Sequence, residues 1–199
     1  MKRAFTIIEL LGVMVVLATL FGLILPAMKL SFRTAQKKQA AGDATALAQA
    51  VIHYRQTYGV WPGSETISDD TVVAPILIVG TNLPAWASQE ILPSLAAAET
   101  NDLADVIRAL LPSDNVDNPR GIRFLDIPAS RLRHDNLFLD PWGTPYAIVI
   151  HPPPKIEGLT VGWSDVVAFS FGPPGHIGSA ADNLIFSAGV PLFSAGVPR

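Results

Sequence analysis

The sequence contains no cysteine, which excludes a disulfide framework, a thiolate metal site and a cysteine nucleophile. Charge is also scarce, because only 16% of the 199 residues are charged and the net charge is -3. Proteins that bind nucleic acid by releasing counterions need a basic face. A nucleic-acid role would therefore have to rest on a local patch.

The motifs of common enzyme classes are missing, since HExxH, GxSxG, P-loop and dinucleotide-binding patterns do not occur. The chain has four histidines, His53, His134, His151 and His176, and they fall in separate predicted elements. His134 and Asp135 form a local pair and lack a third member. Because a catalytic site needs several converging groups, we expect no enzymatic activity.

Charge is almost absent from the segment between Phe5 and Met28, where Glu9 is the single ionisable residue. A helix of this length rises about 36 Å, enough to cross the hydrocarbon of a bilayer. A cleaved secretory signal is the alternative, but the segment is longer than a usual signal and ends without a pair of small residues. The pattern predicts a transmembrane helix over residues 5–28.

Glu9 is the feature of this segment that needs a separate explanation, because a carboxylate in lipid is costly and commonly functional. It lies in the first turn of the predicted helix, where the helix dipole favours an anion. A cation is also required. If the chain is cut after Ala4, the new α-amine of Phe5 is such a cation, in the same chain or in a neighbouring subunit.

The N-terminal residues Lys2-Arg3-Ala4 followed by Phe5-Thr6-Ile7-Ile8-Glu9 resemble the leader and first residues of type IV prepilins and pseudopilins. Pro26 strengthens the resemblance, because the family commonly has a helix-kinking proline at this distance from the cut. The resemblance implies cleavage of a 1–4 leader between Ala4 and Phe5 by a prepilin peptidase, N-methylation of Phe5, and a role for Glu9 in assembly. Ala4 stands where the family has glycine, and it keeps the small size.

The family inserts with its leader in the cytoplasm and its C-terminal domain outside, although a count of the basic residues that follow the apolar run gives the opposite orientation. We follow the family. The resemblance therefore implies a single-pass protein of the inner membrane, with residues 59–199 in the periplasm.

Residues 29–58 are rich in alanine, glutamine and lysine and carry apolar residues at helical intervals. They predict an amphipathic continuation of the helix, with Gly59 as its stop. The fold class is predicted as α+β and pilin-like, with this long N-terminal helix packed on a small C-terminal antiparallel sheet.

The C-terminal region predicts one further helix and several strands. The helix covers residues 101–111, with Asn101 as its cap and Pro112 beyond its end. Four β-prone runs lie between turns that are rich in proline and glycine. They are Ile122–Ile127, Tyr146–Ile150, Val166–Phe171 and Leu184–Phe186. Between Trp61 and Gln89 the sequence supports no firm prediction.

A turn is predicted at Asp140-Pro141-Trp142-Gly143-Thr144-Pro145-Tyr146, because proline fixes φ and glycine permits a left-handed conformation. This segment is similar to the major (G type) pseudopilins of type II secretion systems, in which it joins two strands. Tyr58–Pro62 and Phe169–Pro173 add to the resemblance. The segment from residue 64 to 118 has no such matches and is interpreted as an insertion.

In those pseudopilins a late acidic loop binds calcium, which prefers oxygen ligands. The corresponding loop here spans residues 172–183 and offers Asp182 and Asn183, while Pro173 and Pro174 stand where the family has an acidic residue. Two interpretations follow, a calcium site at Asp182 and Asn183, or a turn without metal.

One dense basic cluster occurs in the C-terminal region, and it could contact phosphate as in pilins that take up DNA. Its members are Arg120, Arg123, Arg131, Arg133 and His134, with Asp117, Asp126 and Asp135 interspersed. The acidic neighbours favour ordinary surface pairing, so no nucleic-acid partner is expected. A second feature is a tandem copy, because the hexapeptide Phe-Ser-Ala-Gly-Val-Pro at residue 186 recurs at residue 193.

The resemblance implies a structural subunit of a type II secretion pseudopilus. Its partners would be other copies of itself, minor pseudopilins, the prepilin peptidase and the inner-membrane secretion platform. A subunit of a type IV pilus or DNA-uptake pilus is the alternative, and a membrane-anchored enzyme is a third class.

Overall fold

The computed structural model of the protein describes residues 7–63, 75–80, 99–112, 116–153, 155–156, 159–160, 165–173, 184–187 and 193–194. Only the backbone is described at residues 23–30, 99–101, 155, 159–160 and 193–194. The chain divides into two compact units, residues 1–38 and residues 39–199.

A single long helix, α1, spans Ile7–Tyr58, as the sequence predicts for this region. It ends at Gly59, whose φ is 76° and whose N–H donates to the carbonyl of Arg55 at 2.7 Å. A left-handed glycine is a common way to end a helix, since it avoids the strain that a side chain would add. In the part of the chain that the structure describes, no helix is long and apolar enough to cross a membrane.

The main sheet has five strands in the order β2-β1-β3-β6-β7. These strands are β1 (Ile76–Val79), β2 (Glu99–Asp102), β3 (Ala147–Ile150), β6 (Val166–Ser170) and β7 (Ile185–Phe186). Four of them pair antiparallel, whereas β2 is a parallel strand at the edge. A smaller sheet joins β4 (Lys155–Ile156), β5 (Leu159–Thr160) and β8 (Phe193–Ser194).

Both faces of the main sheet are buried, because side chains alternate along each strand. On one face Ile76, Ile148 and Ala168 pack in a cluster that includes residues of α1 and of the helix α2 (Leu103–Leu110). On the other face Leu77, Val149 and Phe169 pack against residues from β4, β7 and the segments beside them. The architecture is α+β, and the predicted small antiparallel sheet is confirmed for β1, β3, β6 and β7.

The buried surface of α1 follows the helical period within residues 39–58. Ala44, Leu47, Val51 and Tyr54 are spaced by three or four residues and are almost fully buried. This spacing places them on one stripe of the helix. The stripe is the contribution of α1 to the core cluster that it shares with α2 and one face of the sheet.

The predicted strand at Ile122–Ile127 is wrong. Residues 121–128 belong to no helix or strand, because the Asn118 side chain accepts from the N–H of Ile122 at 3.1 Å and donates to its carbonyl at 2.7 Å. Next to it, the N–H groups of Phe124 and Leu125 both donate to the carbonyl of Leu110. These contacts satisfy the backbone locally, in competition with strand pairing.

The strand β1, which lies between β2 and β3 in the sheet, falls in the region without a prediction. Ile76–Val79 is a continuous apolar run between Pro75 and Gly80, a pattern that fits a strand buried on both faces but is too short to separate from a helix. Gly80 is required by packing, since a Cβ added there would lie 3.0 Å from the Cβ of Pro145. Two described elements of the predicted 64–118 insertion, β1 and α2, thus contribute side chains to the core.

The N-cap of the helix α2 lies one residue later than predicted. Asp102 is the N-cap, and its Oδ1 accepts from the N–H of Ala104 at 2.9 Å. We expect Asp102→Ala to lower the free energy of unfolding by about 1 kcal/mol, or roughly 3 °C in Tm. Asn101→Ala is the matched control. An equal loss in both variants, measured by thermal unfolding, would contradict the assignment of the cap.

Candidate functional site

The first candidate site is the apolar surface of α1 over residues 7–22. Its large side chains are exposed, from Ile7 at 83% to Phe21 at 61%, and the consecutive residues Val13–Leu17 are all exposed. Five consecutive residues in a helix point to all sides of it. This part of α1 is therefore apolar around its whole circumference, which is typical of helices enclosed by lipid or by other helices.

Polar side chains are few in this segment. Glu9 lies in the first turn of α1 and is exposed, at the end where the helix dipole favours an anion. The hydroxyl of Thr19 donates back to the carbonyl of Val16 at 2.8 Å, so its donor is satisfied within the helix. The predicted cleavage and methylation residues Ala4 and Phe5 lie outside the described residues. Pro26 lies inside α1, where proline has no N–H for the helical hydrogen bond.

The second candidate site fixes α1 to the rest of the residue 39–199 unit. The guanidinium of Arg131 binds both carboxylate oxygens of Asp43, and Oδ2 of Asp43 also accepts from the Tyr146 hydroxyl at 3.1 Å. Arg131 is 15% exposed and Asp43 20% exposed. Arg131 also lies over the ring of Phe138, 5.2 Å from its centroid. We call Asp43, Arg131 and Tyr146 the helix junction.

In the helix junction, Arg131 keeps its positive charge and Tyr146 keeps its hydroxyl proton. The hydrogen bond to Asp43 raises the pKa of Arg131, and burial raises the pKa of Tyr146 with the Asp43 charge acting in the same direction. Tyr146 therefore remains a neutral donor and Arg131 a cation at any pH where the fold survives. The junction is a structural clamp, because its donors and acceptors are committed to one another.

The third candidate site is the turn at Asp140–Tyr146. Oδ1 of Asp140 accepts from the N–H groups of Trp142 at 2.9 Å and Thr144 at 2.8 Å, and Gly143 has φ of 86°. Oδ2 accepts from the Ser170 hydroxyl at 2.6 Å. Ser170 in turn accepts from the N–H of Gly172 at 3.0 Å.

The Asp140 carboxylate therefore connects two of the three segments that add to the family resemblance beyond the N-terminal helix. The turn contributes Asp140, and the Phe169–Pro173 segment contributes Ser170. The third segment, Tyr58–Pro62, contributes Trp61, which is buried beneath Arg55 and meets the ring of His151 edge-on. Each segment thus has a specific structural task in the core.

Burial raises the pKa of Asp140, against the opposing effect of the hydrogen bonds from Ser170, Thr144 and Trp142. A raised folded pKa means that this carboxyl stabilises the fold below its unfolded pKa of about 3.9, and that the contribution is lost as pH rises through the folded value. The stability of the native chain, relative to Asp140→Asn, should therefore fall as pH rises from about 4. Urea unfolding at several pH values measures this.

Asp135 provides a control with the opposite sign. The hydrogen bond from Arg133 lowers the pKa of Asp135 to about 2, so its contribution is present above about pH 3.9 and is lost as pH falls towards 2. The native chain should gain slightly in stability with rising pH relative to Asp135→Asn; the gain is small because both side chains remain partly in contact with water, which screens the pair. Equal slopes for Asp140→Asn and Asp135→Asn would contradict the assignment for Asp140.

The predicted pairing with interspersed aspartates is confirmed for two arginines, whereas a third, Arg131, pairs with Asp43 of α1 at a largely buried position. Arg123 contacts Asp126 at 3.0 Å, Arg133 contacts Asp135 at 2.6 Å, and Arg131 binds Asp43 in the helix junction. Arg120 lies over the ring of Tyr58, 5.7 Å from its centroid.

Asp182 and Asn183, the predicted calcium ligands, lie outside the described residues. Among those that are described, no three His, Asp or Glu side chains are grouped so that they could hold a metal ion. The calcium interpretation and the plain turn therefore both remain predictions.

Asp43 is the important residue that sequence reasoning missed. A signal was available, because Asp43 lies four residues before Leu47 and eight before Val51, on the apolar stripe of an amphipathic helix. A carboxylate in that position predicts a cationic partner from elsewhere in the fold. Comparison of the chain with protein-family models, with curated proteins and with solved structures finds no match.

Proposed function

We propose that this chain is a pilin-like structural subunit of a type II secretion pseudopilus. In this proposal α1 holds the subunit in the inner membrane before assembly and packs against other copies in the filament afterwards. The observation that carries the proposal is the apolar circumference of α1 over residues 7–22. Large apolar patches on a protein surface mark sites that lipid or another protein covers.

The second half of α1 supports a division of labour along one helix. Residues 39–58 bury one stripe against the sheet and are clamped by the helix junction, whereas residues 7–22 expose apolar side chains on all sides. A folded domain that carries an apolar helix of this kind is suited to assembly through that helix.

Glu9 supplies specificity to this assembly. When apolar helices pack side by side, each carboxylate in the packed core needs a cation near it. The methylated α-amine of Phe5 on the adjacent subunit is the partner we propose, since cleavage after Ala4 would create that amine. The pairing would fix the axial position of each subunit relative to the next.

The secretion class is favoured by the Asp140–Tyr146 turn, which resembles the major pseudopilins and is tied to β6 through Ser170. Pairing of Arg123, Arg131 and Arg133 with aspartates leaves the alternative of a DNA-uptake pilus without a specific supporting observation. Deletion of the gene in its host should hold secreted proteins in the periplasm. Normal secretion with lost DNA uptake would replace the secretion proposal by the alternative.

Processing gives the first biochemical test. Expressed with a prepilin peptidase, the chain should lose residues 1–4 completely and gain a methyl group on Phe5, which intact-mass measurement detects. Ala4→Gly is the matched variant and should be cut at least as fast, because the family has glycine before the cut. A mature N-terminus near Ala27 would indicate a conventional secretory signal and contradict the proposal.

A further inference from the structure

The tandem copy places one hexapeptide in two different environments. Phe186 and Ser187 begin the first copy, and Phe193 and Ser194 begin the second. The backbone of the first copy pairs with β6 through β7, whereas that of the second pairs with β5 through β8. Identical sequences have identical local preferences, so tertiary contacts alone assign each copy to its sheet.

Two contacts of the first copy with β6 add to the β6–β7 ladder, one from a side chain and one from a backbone N–H. Phe186 lies opposite Phe169, with ring centroids 5.3 Å apart, and is 3% exposed. The N–H of Ser187 donates to the carbonyl of Ala168 at 2.8 Å. The β6 edge is therefore a site for the dipeptide Phe-Ser, and the second copy carries the same dipeptide.

We propose that the β6 edge is a binding site with two interchangeable occupants from the same chain, and that the second copy occupies it when the first is released. The positions next to the dipeptide also match. Leu192 precedes Phe193 as Ile185 precedes Phe186, and both are aliphatic residues of equal size. This inference does not depend on the proposed function.

Chain connectivity permits the exchange. Residues 171–184 link β6 to the first copy, and residues 171–191 would link it to the second. The longer loop is about half as long again. Its greater closure entropy lowers the population of the second occupant relative to the first by roughly a factor of two. The exchange also releases β8, a strand of two residues, so little pairing is lost. Two residues before the dipeptide the copies differ in chemistry, because Leu184 precedes the first and Pro191 the second.

Cysteine pairs distinguish the two occupants, because the chain has no cysteine of its own. Ala168→Cys with Ser187→Cys reports the first copy, since Ser187 directly follows β7 and lies opposite Ala168 of β6, and opposed residues of neighbouring strands suit a disulfide. Ala168→Cys with Ser194→Cys reports the second. Adding Phe186→Ala should speed disulfide formation by the second pair more than about tenfold. The buried Phe186 ring stabilises the first copy on the β6 edge, and its removal leaves the edge to the second copy.

The disulfide must form within one chain. A disulfide-linked dimer on a non-reducing gel would mean that the second copy comes from a neighbouring chain, and it would overturn the proposal. Failure of the Ala168→Cys and Ser194→Cys pair to form in the Phe186→Ala background, under conditions where the Ser187 pair forms, would overturn it as well.

Thermal unfolding gives an independent readout. Phe186→Ala and Phe193→Ala should each lower Tm by only a few degrees, while the double variant should lower it by roughly 10 °C. Phe171→Ala is the control, since Phe171 is buried in the same cluster and has no second copy; its loss should match that of the double variant. A Phe186→Ala loss equal to the double variant's would contradict the exchange.

Discussion

Replacement of Asp43 by alanine should lower the free energy of unfolding by about 3 kcal/mol and Tm by roughly 6 to 12 °C. The substitution leaves the Arg131 guanidinium partly buried without its carboxylate, and it removes the acceptor of the fully buried Tyr146 hydroxyl. Losing one member of a buried pair costs about 3 to 5 kcal/mol. We take the lower end because both charged side chains retain some contact with water.

The measurement is chemical or thermal unfolding of the full chain in detergent. Asp135→Ala is the matched control, because it removes an aspartate from an arginine pair that is more exposed than the helix junction, and it should lower Tm much less than Asp43→Ala does. Asn keeps a hydrogen-bond acceptor without the charge. A smaller loss of Tm in Asp43→Asn than in Asp43→Ala would therefore separate the acceptor function of the side chain from its charge. If Asp43→Ala and Asp135→Ala were equally harmless, the helix junction would have no stabilising role.

A compensated variant tests the cause of the loss. Asp43→Leu with Arg131→Met and Tyr146→Phe removes every polar group of the helix junction together. Replacing a whole buried polar network by apolar residues is often neutral, whereas breaking it is costly. The triple variant should therefore regain most of the stability that Asp43→Ala loses.

The sequence predicted the elements whose own residues are sufficient to define them. β3 and β6 are runs of β-branched and aromatic residues between proline- and glycine-rich turns, and α1 ends at Gly59 because glycine alone tolerates that φ without strain. These signals are local. They require no knowledge of what the segment packs against.

Contacts that a segment makes with other parts of the fold could not be predicted from the single sequence. The pair of Asp43 and Arg131 joins residues 88 positions apart, and nothing in either neighbourhood selects one arginine from the basic cluster. The failed strand at 122–127 has the same origin, because the side chain of Asn118 captures the backbone of Ile122. Local β propensity cannot anticipate that competition.

Substitution of Glu9 by leucine should reduce cross-linking between subunits in membranes by at least about tenfold. It would leave the proposed amine partner unpaired in an apolar core, which costs about 3 to 5 kcal/mol, more than the roughly 1.4 kcal/mol that corresponds to that factor. A single cysteine at Leu17, which is exposed on α1, provides the cross-link in this cysteine-free chain. In the proposed filament the charge acts at the contact between subunits, whereas the helix junction and both core clusters lie within residues 39–199.

Three controls separate assembly from folding and processing. The Tm of Glu9→Leu should equal that of the native chain, and membrane insertion should be unchanged or improved, because leucine lengthens the apolar run. Intact mass must show that Glu9→Leu is still cut before Phe5, since an uncut chain would lack the amine. Glu9→Asp keeps the charge on a shorter side chain and should retain part of the cross-linking. Undiminished cross-linking in processed Glu9→Leu would refute the pairing with Phe5, because the filament would then assemble without the carboxylate that the amine is proposed to bind.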